Sequence, residues 1–325
     1  MDTALVIGGT RFIGRHTVEE LLDAGYEVTL LNRGTHDNPF GDRVDHVEGD
    51  RTEETALLAA REAADPDVVI DCVAYYPEDV RAATRAFADA EAYVYISSGA
   101  AYGEDRVPKR EGEARLHDCT DEQAVDESMA SYGPRKAEGD RVVAAAAEDG
   151  VRAMSVRPPV VYGPHDYTER FDYWVDRVDS HDRIVVPDGA LWHLVYAGDV
   201  ASALRVVAEE GTAGEAYNVG DGHVPPLTEW VELLADACDT DVEAVTAGPR
   251  ELAAADLEPE AFPLYAEYPH VLSTAKLREL GWRPTPHEEA LAATVAEHRD
   301  SDRTGRDNGP DREAERRVLG VLDTL

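Results

Sequence analysis

Tyr132 and Lys136 stand four positions apart in Ser131-Tyr132-Gly133-Pro134-Arg135-Lys136, which puts both on one face of a helix. The chain has 14 tyrosines and three lysines (Lys109, Lys136 and Lys276), and Tyr-x-x-x-Lys occurs nowhere else in it. A chain that otherwise uses arginine for its cations keeps lysine here. That points to work for a compact ammonium, which tunes a neighbour's pKa and donates to a ribose hydroxyl in ways a guanidinium does not.

A second cluster opens the chain. Gly8-Gly9-Thr10-Arg11-Phe12-Ile13-Gly14 follows an apolar run directly and leads into an amphipathic segment. Glycines there permit a tight turn and close approach of backbone to a pyrophosphate at a helix N-terminus. Thr10, Phe12 and Ile13 belong to this cofactor loop, and Arg11 takes the place where many such loops carry their middle glycine. The second strand ends in Asn32-Arg33, where a carboxylate would favour NAD. Without it the repulsion against a 2′-phosphate is gone, and Arg33, with Arg11, supplies positive charge. NADP is therefore the expected cofactor, with NAD the alternative. Asp50 and Arg51 end the third strand, where a carboxylate can accept from an adenine amino group, and Ala74 follows the fourth, where a small residue lets a ribose lie close.

The elements that must position these residues are legible as alternating segments. Ala4–Ile7, Glu27–Leu31, Val44–Val47, Val68–Val73, Tyr93–Ser97 and Ala153–Arg157 read as strands. Phe12–Ala24, Thr52–Ala63, Glu78–Ala90 and Ser131–Glu148 read as helices between them. Apolar strands alternating with helices imply an α/β fold, a Rossmann-type doubly wound parallel sheet whose ligands sit at the carboxyl ends of the strands. Further helices are expected at Thr168–Val178, Asp199–Glu209, Leu227–Ala237, Thr274–Leu280 and His287–Glu297, with a late strand at Ala216–Val219. The expected division is a dinucleotide-binding core at 1–163 plus about 195–220, and a smaller substrate-binding lobe at 164–194 and 221–298. Residues 299–325 read as a charged, mobile tail ending in a short helix, Arg312–Leu322.

Composition limits the partners. The 325 residues carry 67 acidic and 31 basic side chains, a net charge of −36. Such a chain lacks the basic face that nucleic acid or an anionic membrane requires, so neither is an expected partner. High Asp, Glu and Ala with scarce Lys resembles proteins of a salt-accumulating, halophilic cytoplasm, where a short screening length makes self-repulsion tolerable. Cys72, Cys119 and Cys238 are dispersed and odd in number, which leaves no disulfide framework or paired metal ligands to read. His165 and His193 are not at metal-ligand spacing, and no metal site is expected. With no apolar run of membrane-spanning length and no basic leader, the expectation is a cytoplasmic protein.

The motifs GGTRFIG, NRG, GDR, YISSGAAYG, YGPRK, VRPPVVYGP, LVYAGDVA, AYNVG and LGWRP occur in the order of the extended short-chain dehydrogenase/reductases and cover most of residues 4–284. The chain resembles the NAD(P)-dependent sugar-nucleotide epimerase/dehydratase type. Its GGTRFIG and NRG are similar to those of the branch that includes chloroplast RNA-associated proteins. The resemblance implies a catalytic set of Ser98, Tyr132 and Lys136. Tyr132 would be the general acid/base, Lys136 would lower its pKa and hold the nicotinamide ribose, and Ser98 would hydrogen-bond the reacting oxygen. Pro158 and Val161 would line the nicotinamide side. On the substrate side stand Ser98, Tyr162, Arg170 and His193, with Arg177, Arg183 and Arg250 as further cations for a diphosphate. Gly99 and Ala100 after Ser98 replace the acids of the dehydrating members, which disfavours 4,6-dehydration.

The expected function is hydride transfer on a sugar or sugar nucleotide, by an epimerase or a dehydrogenase/reductase. The alternative is a non-catalytic nucleotide-binding or RNA-associated scaffold of the same fold. A homodimer is expected through Glu78–Ala90 and Gly133–Glu148, with Ala82, Ala86, Ala144 and Ala147 on an outer face.

Overall fold

The protein is described from a computed structural model covering residues 1–324. The chain runs β1 (Thr3–Ile7), α1 (Phe12–Asp23), β2 (Glu27–Asn32), β3 (Asp45–Glu48), α2 (Glu54–Ala64), β4 (Val68–Asp71), α3 (Pro77–Ala86), β5 (Ala92–Ile96), α4 (Asp121–Val125), α5 (Tyr132–Glu148) and β6 (Ala153–Arg157). It continues through β7 (Val160–Tyr162), α6 (Arg170–Ser180), β8 (Arg183–Pro187), β9 (Leu194–Tyr196), α7 (Ala197–Glu210), β10 (Ala216–Asn218), α8 (Leu227–Cys238), β11 (Glu243–Ala247), α9 (Pro249–Ala253), α10 (Ala275–Glu279), α11 (His287–Arg299) and α12 (Arg312–Leu322).

These elements form two compact units. The first takes Met1–Val161, Ala197–Gly220 and Leu272–Pro284. Its seven strands pair in the order β10-β6-β5-β4-β1-β2-β3, every pair parallel. Leu5 and Ile7 of β1, Val69 of β4, and Tyr93 and Tyr95 of β5 pack with Leu57 of α2, Val80 and Ala83 of α3, and Val142 and Val143 of α5. Helices α1 and α7 pack together, and α7 also packs on β5 and β6. This is the Rossmann-type doubly wound sheet. Its strand order reverses between β1 and β4, so the carboxyl ends of β1, β4 and β5 gather at the switch point where such sheets bind ligands.

The second unit takes Tyr162–Tyr196, Asp221–Val271 and the chain from Thr285 onward. It contains a parallel pair, β8 with β11, in the register Arg183↔Glu243 to Ala247↔Pro187. Tyr162, Phe171 and Trp230 form an aromatic core, with ring centres 4.6 to 5.8 Å apart.

The structure departs from the sequence reading in four places. The segment Leu272–Pro284, expected in the substrate lobe, belongs to the first unit, where the Trp282 indole donates to Ser202 Oγ at 3.0 Å. The described residues after 299, up to 324, are held by the fold and do not form a mobile tail: Arg306 pairs with Asp176 at 2.8 Å, and Arg303 with Glu297. Helix α12 is capped by Asp311 and held by the buried carboxylate of Glu315, which accepts from Val185 N at 2.8 Å. Ala86 belongs to the first unit's own core, and Ala147 packs against Gly214, so Ala144 is the alanine of the expected outer face that stays exposed.

Candidate active site

The loop after β1 closes on itself. Gly8 adopts φ +88°, and a Cβ there would lie 2.4 Å from Val73 Cγ1. A Cβ on Gly14 would lie 2.0 Å from the Gly8 carbonyl oxygen, so only glycine lets α1 start this close to the strand end. Phe12 begins α1 and is buried, while Arg11 sits just before it, exposed, with Nη1 3.5 Å from His36 Nε2. At the end of β2, Asn32 Oδ1 accepts from Gly34 N at 2.9 Å and lies 3.0 Å from His46 Nε2. Its Nδ2 is buried with no hydrogen-bond partner. Arg33 is exposed beside it. A strand-to-helix turn that excludes any Cβ, an orphaned amide donor and two exposed guanidinium groups suit a dinucleotide phosphate and ribose.

The ends of β3 and β4 are locked together. Arg51 is buried, paired with Asp71 of β4 and, at 3.0 Å, with Asp79 of α3. Arg51, expected on the cofactor side, thus joins the ends of β3 and β4 to α3. Asp50 uses Oδ1 on the amide and hydroxyl of Thr52, hydrogen bonds that hold its carboxyl below the usual range. Asp79 Oδ2 accepts from the amides of Tyr75 and Tyr76, both at 3.0 Å, which fixes the loop between β4 and α3.

Lys136 lies on that loop. It is buried, and its ammonium donates to the carbonyls of Ala74 at 2.9 Å and Ile96 at 2.8 Å, just past β4 and at the end of β5. Its Nζ stands 4.8 Å from the ring centre of Tyr95, 5.5 Å from Tyr75 and 5.9 Å from Tyr132. Burial lowers its pKa to about 8, against the pull of Asp71, Asp140 and Asp79. An ammonium has three protons, and two are engaged by main chain, which leaves one for a ribose or for Tyr132.

Ser98 follows β5 by two residues and caps a short turn, Gly99–Ala101, accepting from Ala100 N at 3.1 Å. Gly99 N donates to Pro158 O at 2.7 Å, so the carbonyl of Pro158 is engaged within the fold, and Val161 is buried nearby in sequence. The turn abuts the start of α5: a Cβ on Gly133 would lie 2.5 Å from the Ala100 carbonyl oxygen. Beyond it, Tyr102 OH donates to Asn218 Oδ1 at 2.9 Å and accepts from Arg157, whose Nε pairs with Asp140 of α5 at 2.8 Å. The Ser98 turn and the helix of Tyr132 and Lys136 are thus brought together by contacts to both.

The expected substrate residues outside Ser98 belong to the second unit. Tyr162 is buried in its aromatic core, stacked on Phe171. His193 is buried with Nε2 3.0 Å from the Asp221 carbonyl. Arg170 is half-buried at the start of α6, its Nε donating to Thr168 Oγ1 at 3.2 Å. Arg177 and Arg183 are engaged internally, by Glu315 and the Pro310 carbonyl and by Glu243 and Asp323. Among the described residues no group of three metal-ligating side chains occurs, and no helix is long and apolar enough to cross a membrane.

Sequence reasoning missed Tyr75, Tyr95, Asp71 and Asp79, which build the seat of Lys136. It also missed His117, whose ring lies where a Cβ on Gly103 would meet Nδ1 at 2.9 Å and a Cβ on Gly133 would meet Cδ2 at 3.1 Å. Burial and the nearby charges of Arg115 and Lys109 push the pKa of His117 down. The signal that was available was the pair of glycines, Gly103 and Gly133, flanking the motif residues.

A doubly wound sheet with a glycine turn at β1 and a Tyr–Lys helix at the switch point defines a nucleotide-binding enzyme class, and the comparisons give its family. Residues 4–220 match the NAD dependent epimerase/dehydratase family, and the chain belongs to it, an NAD(P)-dependent enzyme of the extended short-chain dehydrogenase/reductase type. It is 28% identical over 302 residues to the chloroplast stem-loop binding protein of 41 kDa b of Arabidopsis thaliana, across 86% of this chain and 74% of that one. It is 26% identical over 326 residues to the low-salt glycan biosynthesis protein Agl12 of Haloferax volcanii, across 90% and 96%. The fold is similar to the crystal structure of UDP-glucose 4-epimerase from Thermotoga maritima with UDP-glucose, at TM-score 0.71 and 20% identity, across 92% of this chain and 99% of that one.

Proposed function

We propose that this chain is an NAD(P)-dependent epimerase or dehydrogenase/reductase acting on a sugar or sugar nucleotide, with Ser98, Tyr132 and Lys136 as its catalytic set. The observation that carries the reading is the seat of Lys136, an ammonium pinned by the Ala74 and Ile96 carbonyls within 5.9 Å of the Tyr132 ring. Bound NAD(P) would supply the hydride acceptor for oxidation of the sugar carbon and, in an epimerase, the hydride donor for its reduction. Tyr132 Oη takes the proton of the sugar hydroxyl as the carbon is oxidised and gives it back on reduction. Lys136 lowers the cost of the phenolate and donates its third proton to the ribose. Ser98 Oγ orients the reacting oxygen. Gly8, Thr10, Phe12, Ile13 and Gly14 form the phosphate turn, Ala74 lets a ribose lie close, and Pro158 and Val161 border the nicotinamide.

NADP is the proposed form of the cofactor. Asn32, Arg33 and Arg11 present an amide and two exposed cations, and β2 itself ends without a carboxylate, that of Glu48 on β3 lying against Gly34. Titration of both cofactors at fixed salt tests this. Wild-type protein is expected to bind NADPH more tightly than NADH, and Arg33→Ala to weaken NADPH alone, by about tenfold, the loss of one charge-assisted contact. Equal or tighter NADH binding contradicts it.

The substrate is proposed to be bound with help from Tyr162, Arg170 and His193, and the protein to act as a homodimer through α3 and α5, measurable by light scattering in molar salt. Incubation with nucleotide sugars and free sugars tests the reaction. Conversion with cofactor retained on the protein marks an epimerase, and net cofactor reduction marks a dehydrogenase. The scaffold reading is favoured by one observation, the name of the Arabidopsis relative. The net charge of −36 opposes it, since a phosphate backbone is bound by releasing counterions to basic side chains. Absence of any turnover together with a mobility shift of an RNA stem-loop would establish it instead.

A further inference from the structure

Four arginines are buried in this chain: Arg51, Arg135, Arg157 and Arg177. Arg51 pairs with Asp71 and Asp79, Arg157 with Asp140, and Arg177 with Asp176 and Glu315. Arg135 is 4% exposed and, among the described residues, has no carboxylate within ion-pair distance. Its Nε is buried without a hydrogen-bond partner. It stacks on Tyr76, with Cζ 4.8 Å from the ring centre. A chain with 67 acidic residues has no shortage of carboxylates to offer it. The carboxylates nearest in sequence are engaged elsewhere, Glu138 with Arg141 and Asp140 with Arg157, each at 2.8 Å. Asp126 is turned to the hydroxyls of Ser128 and Ser131, at 2.6 Å for the latter, and these bonds, ahead of the charge of Arg135, hold its pKa at about 2.

A buried, unpaired guanidinium is costly, and stacking on a ring offsets only part of that cost. The position is specific. Arg135 follows Tyr132 by three residues on α5 and precedes Lys136. Tyr76, on which it stacks, follows Tyr75, which faces the Lys136 ammonium. The charge is thus one residue from Lys136 along α5 and stacked one residue from Tyr75 along the loop, and its planar fork is suited to donating two parallel hydrogen bonds to a carboxylate or phosphate.

We propose that Arg135, braced by Tyr76, is a binding residue for an oxyanion of the small-molecule substrate, so that the substrate carries a carboxylate or phosphate close to its reacting carbon. This assignment of the substrate class rests on the reading of Tyr132 and Lys136 as the reacting centre, whereas the anion site itself is measured without turnover.

The test is thermal unfolding of the full chain at fixed potassium concentration, with chloride replaced stepwise by acetate or by inorganic phosphate. Wild type and Arg33→Ala are expected to show a saturable rise in Tm with one of the two anions, and Arg135→Met to lose it, with an apparent Kd at least about tenfold weaker. A response to acetate assigns a carboxylate substrate, and a response to phosphate a phosphorylated one. Arg135→Lys, which keeps the charge and the fold but not the fork, is expected to be weakened as well. Should Arg135→Met fail to fold, Arg135→Lys carries the comparison alone. Tyr132→Phe is expected to leave the anion response intact, so failure of the catalytic reading and failure of this site are told apart. No saturable response in wild type, or an equal one in the Arg135 variants, overturns the proposal. So does an Arg135 variant that turns monomeric while keeping the anion response, because Arg135 would then answer a carboxylate of a second copy.

Discussion

Lys136 carries its charge where burial disfavours it, and this gives the site a measurable pH dependence. Its pKa is lowered to about 8 from 10.5 by desolvation. At pH 7 the ammonium is protonated, and as pH rises through about 8 the proton leaves, taking with it the proposed donor to ribose and the charge proposed to favour the Tyr132 phenolate. Cofactor affinity of wild-type protein should therefore fall between pH 7 and 9.5, while Lys136→Arg binds more weakly but without that pH dependence, as titrations across the range would show. The sign for stability is opposite. The folded pKa lies below the unfolded one, so between about 8 and 10.5 the unfolded chain holds the extra proton, and the contribution of this site to stability rises with pH. A cofactor affinity that is flat from pH 7 to 9.5 in wild type contradicts this account of Lys136.

At the scale of elements, the site depends on how closely α5 lies on the turn after β5. Gly133 makes that approach possible, since a Cβ there would stand 2.5 Å from a backbone carbonyl that has no rotamer to yield. Gly133→Ala should cost about 1–3 kcal/mol of stability, in the range of overpacking, and should lower turnover further by displacing Tyr132 from Ser98. Urea unfolding and steady-state rates check both, and an unchanged unfolding midpoint contradicts the packing argument. This contact also marks the limit of what could be read beforehand. Tyr132 and Lys136 were legible because a rare residue type recurs at helical spacing, and the sheet was legible because its strands are continuous apolar runs. The brace of Arg51, Asp71 and Asp79 was not, because it joins the ends of two strands to α3, and strand order is not local information. The β8–β11 pair was missed for the same reason, being formed by segments about 60 residues apart whose outer residues are polar. The segment after residue 299 was misread because its charges resemble a solvated tail, whereas Arg303, Arg306 and Glu315 each meet a partner distant in sequence.

For the whole molecule the dominant fact is the net charge of −36. Many arginines are already paired with acids, so the remaining carboxylates repel one another across the surface. The screening length falls from about 10 Å at 0.1 M salt to about 3 Å at 1 M, and the repulsion is cut accordingly. The urea midpoint should rise between 0.1 and 2 M KCl, and the proposed dimer should dissociate at the low end by light scattering. A midpoint that stays constant or falls with salt would show that the acidic surface is not adapted to it.

The central claim is that Tyr132 moves the proton. Tyr132→Phe keeps the ring beside Lys136 and removes only the hydroxyl, so folding and cofactor affinity should match wild type. On a substrate identified by the sugar screen, single-turnover rates in molar salt should fall by about 10²–10⁴, the loss of a general acid/base. Full turnover by Tyr132→Phe on that substrate would contradict the account.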